Sequence, residues 1–157
     1  MANASRTVCI PQVLLARHTG IADESATSII RVFVPNDTVA GSVEIRAFGV
    51  NGSTNAFEGA YGALGHVVFC RTSGVAVVPT AATLTLTAQA TTSGGDSMTL
   101  TYGVSSVVGD NDKAQYFDIQ VTLNDESGDT GSNQVIYEAS LISSEPGIPG
   151  GPYMVSL

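Results

Sequence analysis

Histidine is the side chain best suited to moving protons near neutral pH, and the sequence holds two, His18 and His66. His66 falls inside an alternating strand pattern, HVVFCR, where a hydrogen-bonded structural histidine is expected. No G-x-S-x-G elbow, P-loop, G-x-G-x-x-G or H-E-x-x-H spacing occurs. Carboxylates on neighbouring strands could pair for glycoside hydrolysis, a geometry that spacing along one chain does not test. Two acidic loops offer oxygen ligands: Asp110, Asn111 and Asp112, then Asn124, Asp125, Glu126 and Asp129. Calcium takes about six to eight oxygens, and neither loop has the spaced Asp, Gly and terminal Glu of an EF-hand, so solvated turns are expected. Cys9 and Cys70 are each flanked by apolar residues and are expected as buried free thiols, with a mutual disulfide as the alternative. Without neighbouring histidines they do not furnish a four-ligand zinc site. The expectation is no catalytic residue, no metal and no cofactor.

What must position these residues is a strand scaffold. Only 13% of the 157 residues are charged while 43% are hydrophobic, and much of the rest is Gly, Ser, Thr and Asn, a mixture that suits short strands and turns. One domain is expected, burying roughly two thirds of its unfolded surface. The net charge is −8, with one lysine, Lys113, and five scattered arginines. Binding to nucleic acid or an anionic membrane needs basic side chains gathered on one face, so both partners are disfavoured. Pro11 and Gln12 interrupt the apolar run near the N-terminus, so no signal peptide is expected. Nor does an apolar stretch approach the ~20 residues of a membrane span. A soluble protein made in the cytoplasm is the expectation.

Period-2 patterning recurs along the chain. Val8, Ile10, Leu14 and Ala16 share one face of a first strand near residues 6–17. Ser28 to Val34 is apolar on both faces and reads as a central strand, closed by Pro35-Asn36-Asp37. Ser42 to Val50 alternates Val43, Ile45 and Ala47 with Glu44, Arg46 and Phe48, and Asn51-Gly52 is a strong hairpin signal. The return strand, through Phe57 to Arg71, carries Gly59, Gly62 and Gly65, which suggest bulges or close packing. Inward stripes follow at Leu84, Leu86 and Ala88; at Met98, Leu100, Tyr102 and Val104; and at Phe117, Ile119, Val121 and Leu123. Val135, Tyr137, Ala139 and Leu141 complete what reads as the last strand. These eight to nine strands predict an all-β, two-sheet antiparallel sandwich with jelly-roll or Greek-key connections, a single domain over 1–143. Residues 144–157, with three prolines and three glycines after Ser144, predict an extended arm leaving the domain.

The order VPNDTV, FGVNGSTNAFEG, a long glycine-interrupted strand, TLTLTAQA and a Tyr-containing strand ending ASLISSE spans Val34 to Glu145. It resembles β-sandwich domains of tailed-bacteriophage virion proteins: capsid decoration (cement) proteins, head fibres and tail-fibre tips. Tyr137 stands where such domains often carry a tryptophan. The resemblance implies a non-enzymatic virion subunit, usually a homotrimer. Its partners would be the major capsid protein and copies of itself. A decoration protein on the outer head surface is the first expectation, a fibre or receptor-binding head domain the second, and a carbohydrate-binding module the third. The residues expected to reach partners lie in the arms: Val8, Ile10 and Leu14 at the start, and Ile148, Tyr153, Met154 and Leu157 at the end.

Overall fold

The computed structural model describes residues 12–22, 24–53, 56–91, 98–125, 133–144 and 151–157. Within them lie β1 (Gln12–Thr19), β2 (Thr27–Val34), β3 (Val39–Ser53), β4 (Ala56–Arg71), β5 (Val78–Thr91), β6 (Met98–Val104), β7 (Gln115–Asp125), β8 (Gln134–Ser143) and β9 (Tyr153–Ser156). All pairings are antiparallel and make two sheets, β1-β8-β3-β4-β5 and β6-β7-β2-β9. The expected all-β sandwich is present. Pairing β1 with β8 and β2 with β7 wraps the two ends of the chain together as in a jelly roll. The β3-β4-β5 meander, kept within one sheet, departs from that scheme.

Alternation decides the core. Phe117, Ile119, Val121 and Leu123 from β7, and Val135, Tyr137, Ala139 and Leu141 from β8, are buried as their stripes predict. They meet Ile30, Val32 and Val34 of β2 and Val43, Ile45 and Ala47 of β3 between the sheets. β2 is interior to its sheet, as expected from its two apolar faces. The stripe expected at Leu84, Leu86 and Ala88 lies outside the described side chains. Buried hydroxyls keep their partners: Tyr102 donates to Ala63 O at 3.0 Å and Tyr137 to Ile29 O at 2.8 Å.

Close packing explains two strand glycines. A Cβ on Gly65 would stand 2.6 Å from the Tyr102 ring, and one on Gly49 2.6 Å from Leu123 Cδ1. Gly62 sits at an irregularity instead, where the β4–β5 register slips between Gly62 and Leu64.

Four expectations are corrected. Asn51-Gly52 does not form the hairpin tip: both stay in the β3–β4 ladder, with a register shift between them and Ser53 opposite Ala56. The tip at 54–55 lies outside the described residues. β8 is not the last strand, because Tyr153–Ser156 returns as β9 along β2, with Leu157 N donating to Ile29 O at 3.1 Å. The terminal segment therefore joins a sheet edge, and its prolines end before that edge is reached. Cys70 is exposed, since even-numbered residues of β4 face outward; Cys9 lies outside the described residues.

Both sides of the sandwich are stitched where sheet edges approach. Gln12 of β1 donates its side-chain Nε2 to Met154 O at 2.7 Å and accepts Met154 N–H on Oε1 at 2.8 Å. A side-chain amide thus completes the ladder on the free side of β9. Across the molecule, Thr83 Oγ1 of β5 accepts the Tyr102 N–H of β6 at 2.9 Å. Edge groups satisfied this way are no longer templates for a further strand.

Candidate functional site

Arg71 closes one end of the sandwich. Its guanidinium is buried and donates Nε to Val75 O (3.0 Å), Nη1 to Val34 O (3.0 Å) and Pro35 O (2.8 Å), and Nη2 to Asn111 O (3.0 Å) and Lys113 O (2.6 Å). A planar fork with five donors suits a ring of carbonyls that a lysine could not reach together. Gln115 adds a second tie: Oε1 accepts Val77 N–H at 2.9 Å, and Nε2 donates to Gly109 O (2.9 Å) and Asn111 Oδ1 (3.1 Å). Gly109 takes φ +115°, which opens its carbonyl to Gln115 at little steric cost. Asn36 bridges Asp112 O and Gly74 N. Three loops are thereby fixed to one another by polar side chains. The first acidic loop is absorbed in this work: Asn111 accepts from Arg71 and Gln115, and Asp110 pairs with Lys113 at 2.8 Å. Among the described residues no group of three acidic, His or Cys side chains is arranged to hold a metal. Most of the second acidic loop lies outside them.

The outer face of the β6-β7-β2-β9 sheet carries an aromatic ladder. Phe33 and Tyr153 stack with centroids 4.7 Å apart and planes 16° from parallel, and Phe33 meets Tyr116 at 5.6 Å, tilted. Arg31 lies 4.1 Å over the Tyr116 ring and forms a forked pair with Asp118 through Nε–Oδ1 (2.8 Å) and Nη2–Oδ2 (3.1 Å). The hydrogen bond to Asp118 is the main cause that holds the guanidinium above its ordinary pKa. Tyr116 and Tyr153 fall on strand positions and face outward. One face of Tyr153 is covered by Phe33 and one face of Tyr116 by Arg31, so the cluster chiefly fastens β9 to β2 and β7.

The β1-β8-β3-β4-β5 sheet presents the larger apolar surface. Leu15 is 78% exposed, and Val13, Phe48, Val68, Val78 and Ile142 are also exposed on that face. Arg17, Glu44, Arg46 and Glu138 lie among them, with His66 half-buried.

The residues expected to touch partners are placed as follows. Leu14 points inward and packs against the core; the outward face of β1 belongs to Val13 and Leu15. Apolar residues occupy both faces of Val13–Ala16, so alternation alone could not choose. Met154 is 1% exposed and belongs to its own chain's core, which corrects its assignment to a partner. Tyr153 and Leu157 remain exposed but are tied to β2. Val8, Ile10 and Ile148 lie outside the described residues. Sequence reasoning missed Leu15, Arg46 and Glu138, whose grouping depends on the register of β1, β8 and β3.

Among the described residues the architecture is that of a nine-stranded antiparallel sandwich with end loops locked by Arg71. No known protein family matches this sequence, and no curated protein is similar to it. Among solved structures the chain is similar to the tailspike protein of Acinetobacter baumannii phage AM24, with a TM-score of 0.59 at 12% identity over 92% of this chain. The match covers 28% of the tailspike chain, so this sequence spans little more than a quarter of that protein's length. At this identity the likeness is one of fold.

Proposed function

We propose that this chain is a structural module of a tailed-phage virion, belonging to a tailspike or fibre and acting by packing and recognition with no catalytic step of its own. The observation that carries this reading is the likeness of nearly the whole chain to one segment of a phage tailspike. It agrees with the virion resemblance of Val34 to Glu145. The rigidity of the fold supports it too, since a buried arginine clasp and two stitched edges suit a load-bearing part. A capsid-decoration role depended on apolar arms reaching neighbouring subunits. With Met154 in its own core and its backbone held by Gln12, that residue is not free to reach a neighbour, which weighs against such an arm. The tail-borne reading therefore takes first place over attachment to the major capsid protein.

The test is a cryo-EM reconstruction of the source particle with this domain fitted by shape. Density at a tailspike or fibre is the expected result. Density on the head lattice would restore the decoration role, and absence from purified particles would overturn the virion reading altogether.

A further inference from the structure

We propose that the outer face of the β1-β8-β3-β4-β5 sheet is a contact for a second copy of this chain, formed about a two-fold axis. The inference rests on charge, register and area, and stands independently of the virion assignment.

Charge comes first. The chain carries −8, so copies repel over most of their surface. Three of its six basic groups are committed: Arg31 to Asp118, Lys113 to Asp110 and Arg71 to backbone carbonyls. Among the described residues Arg17 and Arg46 make no ion pair, and both lie on this one face with Glu44 and Glu138. Among the described side chains, two arginines against two glutamates leave the face neutral on an acidic protein. Two copies can therefore approach there without the general repulsion.

Register makes the face self-complementary. One row across the sheet runs Leu15, Glu138, Arg46, Leu64 from β1 to β4. A two-fold axis in the contact plane, along the strands and midway between β8 and β3, sets each Arg46 against the other copy's Glu138. The same operation brings Leu15 onto Leu64. One row further along, it brings Phe48 of β3 onto Ile136 of β8. Leucine meets leucine, Phe48 meets Ile136 and Arg46 meets Glu138, the self-matching that an isologous contact requires.

Area is sufficient. Four strands, β1, β8, β3 and β4, overlap about that axis; at ~4.8 Å spacing and about eight residues of ~3.3 Å rise they give on the order of 500 Å² per copy, roughly 1,000 Å² in all, the floor for a specific interface. Exposure of Leu15 and its neighbours supplies the apolar centre, and the paired charges supply register.

The experiment is sedimentation equilibrium of the full chain over a concentration series, with thermal melts as a folding control. Wild type is expected to reach the mass of a dimer. Arg46→Glu and Glu138→Arg should each weaken association at least about tenfold, because like charges then face each other twice. The double variant, Arg46→Glu with Glu138→Arg, should recover it. Leu15→Asp should abolish the dimer while melting within a few degrees of wild type. A monomer throughout, a trimer, or a double variant as dissociated as either single one would overturn the proposal.

Discussion

Replacing Met154 by alanine tests the most consequential correction the structure makes, the return of the C-terminal segment into the sandwich. Met154 is 1% exposed, packed in the core, with its backbone clasped by Gln12. Truncating a buried methionine to alanine removes transfer energy and leaves a cavity, together about 3 kcal/mol. For a domain of this size that corresponds to a fall in melting temperature of about 6–12 °C. Val155, its neighbour, is 37% exposed and points away from the core, so Val155→Ala should cost less than about 0.5 kcal/mol. Melting followed by circular dichroism, with urea unfolding to confirm an unchanged slope, measures both. If Met154→Ala melts within a degree or two of wild type, or no lower than Val155→Ala, the segment is not seated in the core and the free-arm reading returns. Deleting residues 153–157 should cost more than the point variant. The deletion also removes the β2–β9 ladder, the Phe33–Tyr153 stack and the contact between the Tyr137 hydroxyl and Ser156 Oγ at 2.9 Å.

Arg71→Lys should destabilise by about 2–3 kcal/mol in urea unfolding, because three ammonium donors replace a five-donor fork and leave part-buried carbonyls unpaired. Recovery of wild-type stability by lysine would show that charge alone matters there. Gly65→Ala should cost about 1–3 kcal/mol, since three atoms of the Tyr102 ring stand within 3.0 Å of the new methyl group. Gly49→Ala should cost less, because a single atom at the far end of a side chain, Leu123 Cδ1, stands that close; equal costs would refute the distinction. Burial raises the pKa of Tyr102, and of Tyr137 against a smaller lowering by Ser156. Above about pH 10 the unfolded tyrosines lose protons that the folded ones keep, so stability should fall as pH rises from there. Urea midpoints at pH 8 and above pH 10 should show the loss, and Tyr102→Phe or Tyr137→Phe should flatten it. An unchanged slope in both variants would remove the tyrosines from the account.

Strands that alternate cleanly could be read directly. The stripes Phe117 to Leu123 and Val135 to Leu141 face the core because a two-residue period leaves one apolar face to bury, whatever the neighbouring strands are. The same logic yields the all-β class, the two-sheet sandwich and the interior position of β2. Where both parities are apolar, as at Val13–Ala16, the sequence leaves the buried face open, and only the approach of β1 to β8 exposes Val13 and Leu15. Tertiary structure likewise decided the fate of the tail. YMVS is too short to announce a strand after three prolines, and its stability comes from β2, Gln12 and a core position for Met154, all distant in sequence. The Arg71 clasp and the Leu15, Glu138, Arg46, Leu64 row have the same origin. Local patterning tells a residue which way to face, but which residues share that face is set by strand order and register, and these exist only once distant segments have paired.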